Sequence, residues 1–251
     1  QTLRAMSCML VATVAFALMH ALVRHITQEL HVIEVAFFRN FFGLLALFPL
    51  FLRYGFAPLR TNRIGLLTLR GVLNIGAMFA FFYGLSVTPL ATVSALSFSA
   101  PIFVTILAMI VLGEVVRARR WAAIVIGFAG ALVIIRPGIL EVDYGMLAIL
   151  LSSGLWAMAL IVIKVLGRTE SSLTITVYMG VVMVPISLVP AVFFWQWPTL
   201  EQFAWLAGVG ILGAIAQLMM TEALRLGDTS EVMPLDFLKL IWAAVIGYLV
   251  F

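Results

Sequence analysis

The chain has 251 residues, of which 64% are hydrophobic and only 10% charged, and its mean hydropathy is +1.19. Soluble domains are about half apolar and about a quarter charged, so a soluble enzyme or a nucleic-acid-binding domain is excluded despite the net charge of +4. The single cysteine, Cys8, lies in an apolar run and excludes both an internal disulfide and a cysteine-based zinc site.

A membrane-crossing helix needs about 20 apolar residues, so nine of them use about 180 residues and leave short loops. The first span is the uncharged run from Ala5 to Val23, and the second runs from about Val32 to Leu52 with Arg39 inside it. No charge occurs from Gly71 to Gly113; Pro89 divides that stretch into a third span, 64–86, and a fourth, 90–112. The fifth is Trp121 to Ile135, closed by Arg136-Pro137-Gly138, and the sixth is Tyr144 to Ile163. Ser171 to Leu200 holds the seventh span and a Trp195-Gln196-Trp197-Pro198 turn; the eighth is Gln202 to Thr221 and the ninth about Val232 to Phe251. The expected fold is therefore all-α, a polytopic transmembrane helix bundle.

With the N-terminus inside, the inner segments hold ten basic residues (Arg4, Arg53, Arg60, Arg63, Arg117, Arg119, Arg120, Lys164, Arg168, Arg225) and the outer loops only Arg24 and Arg136. That asymmetry predicts a cytoplasmic N-terminus, and it puts Trp195 and Trp197 at the outer interface.

The two halves align with each other. At an offset of 140, Phe16-Ala17 meets Trp156-Ala157 and Arg24 meets Lys164; at 139, Gly71 meets Gly210, Leu73 meets Leu212, Ala77 meets Ala216, Leu85 meets Leu224 and Phe98 meets Phe237. Five spans separate the two starts, so the repeats (1–138 and 139–251) are inverted, an arrangement of secondary transporters that places the substrate near the midplane. Phe251 aligns with Leu112, which Gly113-Glu114 follows, so a tenth helix is expected beyond the given sequence, and Gln1 suggests missing residues before it.

The segment Ala91-Thr92-Val93-Ser94-Ala95-Leu96-Ser97-Phe98-Ser99-Ala100-Pro101-Ile102-Phe103-Val104, closed by Leu112-Gly113-Glu114, resembles the fourth-helix pattern of the EamA-type drug/metabolite transporter superfamily. Phe38-Arg39-Asn40, Leu69-Arg70-Gly71, the Gly127–Gly130 spacing and Arg136-Pro137-Gly138 fit the same group. The resemblance implies ten helices in two inverted five-helix repeats around a central cavity, and small-metabolite cargo such as amino acids, S-adenosylmethionine or riboflavin. The second repeat departs from the pattern, with Leu240 in place of Pro101 and Asp236 and Lys239 in place of Ser97 and Ala100.

Ionisable groups at bilayer depth cost about 2.5–3.5 kcal/mol each, so each needs a partner, a wet cavity or an escape to the interface. Arg39 lies about 10 Å into its helix and is either a donor to a substrate carboxylate or an ion-pair partner of an acid such as Glu34. Arg70 is close enough to its helix start to snorkel towards headgroups, while Asn74, Met78 and Phe81 continue its face towards an apolar pocket or plain packing. Asp236 and Lys239, three apart, either neutralise each other or present Lys239 to a carboxylate beside Trp242, with Asp236 or Glu222 as proton carriers. His20 is an interhelical bonding group or a titrating one; Phe16 and Trp156, matched across the repeat, form two cavity walls. Ser97 either repairs backbone freed by Pro101 or meets substrate, and Tyr178 and Gln217 complete the candidates.

The sequence contains no phosphate-binding loop, no His pair at i, i+4 and no Gly-x-Ser-x-Gly elbow. The expected protein is not an enzyme, uses no cofactor or metal, binds a small-molecule substrate within the lipid bilayer, and has no nucleic-acid partner. It is expected to act as a monomer. The expected activity is secondary transport, foremost amino-acid export (aromatic amino acids included) by alternating access. The alternatives are import or exchange of S-adenosylmethionine, riboflavin or cationic drugs, a membrane enzyme on lipid-like substrates, or a passive pore.

Overall fold

The structure is a computed structural model and describes residues 2–50, 60–88, 90–115 and 143–239, with isolated positions in 118–129 and 241–245. All regular elements among the described residues are helical. They are α1 (Thr2–Ile26), α2 (Val32–Ala46), α3 (Ile64–Val87), α4 (Leu90–Ser97), α5 (Ala100–Leu107), α6 (Tyr144–Leu166), α7 (Ser172–Ala191), α8 (Leu200–Leu226) and the short α9 (Thr229–Val232). Six segments are long and apolar enough to cross a bilayer: Thr2–Ile26, Val32–Leu50, Ile64–Gly84, Tyr144–Leu166, Ser172–Phe194 and Leu200–Leu226. The chain is a multi-pass membrane protein. The expected fifth span, with Gly127, Gly130, Ala131 and Arg136-Pro137-Gly138, falls largely outside the described residues, as does most of the ninth beyond Lys239.

Local chemistry starts the helices where the sequence changes from polar to apolar. Asp143 Oδ1 accepts the Met146 N–H at 2.7 Å at the start of α6, and Ser171 does the same for Thr174 at 3.0 Å at the start of α7. Thr199 and Gln202 close a reciprocal capping box on α8. Thr88 is extended before Pro89, which ends α3 as a residue preceding proline should. The α8 helix runs five residues past the expected Thr221, to Leu226.

The single expected fourth helix is instead broken. It stops at Ser97, resumes at Ala100, and its last five residues, Ala108–Leu112, widen into a π turn ending at Gly113, whose φ of +69° suits glycine. Pro101 sits in the first turn of the second piece, where its missing N–H costs nothing. The start of the ninth span is broken too: α9 gives way to a 3-10 turn, Met233–Phe237, with Pro234 at its beginning. The two interruptions meet, because Phe98 stacks on Phe237 with centroids 5.6 Å apart and planes at 21°.

The packing exchanges partners between halves. Helix α1 lies along α8, and α3 lies along α6; α8 also packs on α2, α3 on α7, and α2 on α7. Glycines set the closest approaches. A Cβ at Gly210 of α8 would stand 2.4 Å from Phe42 Cβ and 2.8 Å from the Gly43 nitrogen on α2; a Cβ at Gly71 of α3 would stand 2.7 Å from Val182 Cβ on α7. These glycines let backbones approach where lipid supplies no hydrophobic drive for association.

Candidate functional site

The polar groups inside the spans fall into three clusters. The first joins α1 to the segment following α9. Lys239 pairs with Asp236, three residues earlier, and its Nζ lies 4.5 Å from the centre of the Phe16 ring. Phe16 in turn stacks against His20 at 6.2 Å, and His20 is exposed although it lies within the span, in the half nearer Ile26. Trp242 Nε1 donates to Thr13 Oγ1 at 3.3 Å, fixing the next turn of the same segment on α1. A cation held over an aromatic face gains about 0.5–2 kcal/mol, most where water is excluded. Phe16 is 4% exposed, whereas the Lys239 and Asp236 side chains keep 22% and 19% exposure. The cluster thus has an apolar wall, an accessible cation and an accessible carboxylate.

The second cluster lies among α2, α3, α7 and α8. Arg39 Nε donates to Met19 Sδ at 3.4 Å and an Nη to Asn40 Oδ1 at 3.2 Å; Asn40 donates to Ser187 Oγ at 3.3 Å. Glu34 is not its partner: that carboxylate, fully buried, accepts the backbone N–H of Gln196 at 3.3 Å. Arg70 corrects the expectation of a headgroup-facing side chain. It is 1% exposed and turns inward, donating to the Ile175 carbonyl at 3.1 Å and to Gln217 Oε1 at 3.3 Å. Proximity to the helix start failed as a guide because α7 and α8 close over this face of α3, and the sequence spacing carries no mark of that.

The third cluster is packing. Asn74 Nδ2 donates to Met179 Sδ at 3.4 Å and Met183 Sδ at 3.3 Å, and Met78 packs against the same methionines with Ile75. Phe81 is half-buried beside Phe82. Trp156 and Tyr178 are half-buried against the main apolar core. Ser97 Oγ donates to the Val93 carbonyl at 2.7 Å, a bond within its own helix that does not reach the backbone freed by Pro101. Glu222 lies at the end of the molecule that carries Arg4, with Arg225 at 3.2 Å, Arg4 at 3.9 Å and Ser172 Oγ at 2.5 Å.

That end is tied together. Lys164 Nζ donates to the Gly227 carbonyl, the Thr229 N–H donates to Glu114 Oε1 at 3.2 Å, and a Cβ at Gly227 would stand 2.9 Å from Ala5 Cβ. Five elements, α1, α6, the end of α8, α9 and the tail of α5, are joined there. His20 lies in the other half of α1.

Of the expected site residues, the structure therefore brings together Phe16, His20, Lys239, Asp236 and Trp242, and separately Arg39 and Gln217; Asn74 and Met78 form a sulfur-rich packing group. Sequence reasoning missed Thr13, Asn40, Met19 and the inward turn of Arg70. Asn40 had a signal, its place beside Arg39, whereas Thr13 had none. An open groove of about 590 Å³, lined by Phe79, Pro185, Ile186, Val189, Pro190 and Phe193, has purely hydrocarbon walls, and in a bilayer such walls suit acyl chains.

Residues 3–136 and 143–251 match the EamA-like transporter family. The chain is 32% identical over 228 residues to the S-adenosylmethionine uptake transporter of Rickettsia bellii, covering 91% of this chain and 78% of that protein. It is 33% identical over 247 residues to the riboflavin transporter of Rhizobium johnstonii (97% and 82% covered), and 29% identical over 249 residues to the pseudopaline exporter CntI of Pseudomonas aeruginosa (95% and 84%). A solved crystal structure superposes with a TM-score of 0.80 at 19% identity, covering 97% of this chain and 88% of the other.

Proposed function

The chain belongs to the EamA-like transporter family, and from that premise we propose a secondary carrier of small metabolites bearing an amino-acid headgroup, aromatic amino acids foremost, that exports them by alternating access. The observation that carries this reading is the accessible Lys239, held over Phe16 beside the exposed His20 and paired with Asp236. An ammonium and a carboxylate three residues apart match the two charges of a zwitterion, and the exposed His20, backed by the buried Phe16 ring, offers a ring face to an apolar or aromatic side chain.

Two inverted repeats, 1–138 and 139–251, supply the framework of the proposal. The two matched segments of the family, the exchange of α1–α8 for α3–α6, and the equivalent tight approaches of Gly71 and Gly210 support it. The Phe98–Phe237 stack supports it further, since counterparts across a two-fold axis meet on that axis. The proposed setting is a bacterial inner membrane, and the bias of basic residues supports a cytoplasmic N-terminus there. The tied end is then the cytoplasmic one, and His20 looks outward.

A second reading, S-adenosylmethionine uptake, is favoured by the Rickettsia bellii relative. Both readings share the amino-acid headgroup, which riboflavin lacks. Counterflow into proteoliposomes preloaded with phenylalanine, S-adenosylmethionine or riboflavin tests them. Saturable exchange of either of the first two supports a headgroup carrier and separates export cargo from uptake cargo. Exchange of riboflavin alone, or no exchange above empty vesicles, sinks the headgroup reading.

A further inference from the structure

Two guanidinium groups lie at membrane depth in the second cluster, and among the described residues no carboxylate stands within ion-pair distance of either. Glu34 accepts the Gln196 amide, Asp236 is held by Lys239, and Glu222 by Arg4 and Arg225. Arginine keeps its charge in proteins. Arg70, 1% exposed, has two neutral acceptors and a buried Nε with no hydrogen-bond partner.

Gln217 carries the arrangement onward. Its Oε1 is taken by Arg70, so its amide NH₂ faces away from that guanidinium; this Nε2 is buried, at a residue 1% exposed, and has no partner. The side chain borders a cavity of about 20 Å³ that Arg39, Asn40, Thr176 and Gly213 also line. A Cβ at Gly213 would be 3.5 Å from Arg39 Nε, which puts the second guanidinium one helical turn from Gln217. The cavity has room for one water-sized body.

We infer that this cavity, between Arg39 and the Arg70-polarised amide of Gln217, is a binding site for a single monatomic anion of chloride size. Water would satisfy the amide but leave both guanidinium charges uncompensated in a medium where an isolated charge is costly. A carboxylate with its attached carbon exceeds the space. A halide neutralises one charge, accepts from Nε2, and fits. Arg70 acts through Gln217 by withdrawing electron density from the amide oxygen, which strengthens the N–H donor. The site goes beyond the carrier reading, since it concerns an ion held to the side of the Phe16–Lys239 cluster whatever the cargo.

The test is thermal unfolding of the purified protein in detergent, with sodium gluconate replaced stepwise by sodium chloride at constant ionic strength. Gluconate is too large to enter. The wild type is expected to gain a few degrees in Tm, rising with the logarithm of chloride concentration once that exceeds the dissociation constant, because chloride binds the folded state. Gln217→Glu supplies a fixed carboxylate to Arg70; it is expected to have a raised Tm in gluconate and no response to chloride. Gln217→Met keeps the volume and removes the donor, so the chloride concentration at which its Tm begins to rise moves several-fold higher. A wild type indifferent to chloride means the cavity holds water and overturns the inference. So does an undiminished chloride response in Gln217→Glu or, should that variant fail to fold, in Gln217→Met.

Discussion

Lys239 and Asp236 sit in the same turn, and each makes the other tolerable at bilayer depth. Lys239→Met leaves the Asp236 carboxylate without its cation, so the single variant is expected to unfold at lower temperature than the Asp236→Asn/Lys239→Met double variant, because breaking one partner of a shielded pair is worse than removing both. Under the proposed function both variants lose cargo binding. Loss of one charge-assisted contact, about 1.5–3 kcal/mol, lowers apparent affinity about ten- to a hundredfold in a proteoliposome exchange assay. Recovery of stability without recovery of exchange separates the role in cargo binding from the role in folding. Gly210 poses a purely steric case. Gly210→Ala forces a methyl against Phe42 and the Gly43 backbone and is expected to cost about 1–3 kcal/mol by thermal denaturation. Gly154→Ala, with nothing within 4 Å of the added Cβ, is expected to be neutral.

Element boundaries were the most legible feature of the sequence, because each span needs a charge-free run and each loop interrupts one. Most of the six long spans follow from that rule, while the break at Pro89 and the Trp195-Gln196-Trp197-Pro198 turn, both inside uncharged runs, were marked by their prolines. Interior breaks were legible only as the disturbance expected at proline, not in their extent. Ser97-Phe98-Ser99 carries no charge, and Pro101 reads equally as a kink or as the first turn of a new helix; the Phe98–Phe237 contact that accompanies the break is made by residues 139 positions apart. The direction of Arg70 was hidden for the same reason, since it depends on which helices cover that face. Removing the Phe98 ring, in Phe98→Ala, is expected to cost about 0.5–1.5 kcal/mol beyond the area lost, and Phe237→Ala a similar amount; the double variant should fall short of their sum, as coupled neighbours do. At an exposed helix start the effect is smaller and purely local: Thr199→Ala removes the capping box of α8 and is expected to cost about 1 kcal/mol.

For the molecule as a whole, the ties among Lys164, Gly227, Glu114 and Thr229 close one end while His20 stays accessible in the other half. A His20→Cys substitution in a Cys8→Ala background is therefore expected to react with a membrane-impermeant maleimide applied from the face opposite the N-terminus, and to be protected by transported cargo. Reaction only from the N-terminal face runs against the outward-looking orientation. The exchange of partners between halves has a further consequence for biogenesis. Helix α1 ends at Ile26, and α8, along which it lies, begins at Leu200. At a ribosomal pace of about 5–20 residues per second, the first helix waits roughly 10–35 s in lipid before its mate is synthesised. During that interval its small, close-packing face, Ala5, Ala12, Ala15 and the rest, is open to whatever else occupies the insertion machinery. A holdase or a neighbouring nascent segment that shields this face would govern how much chain reaches the native state.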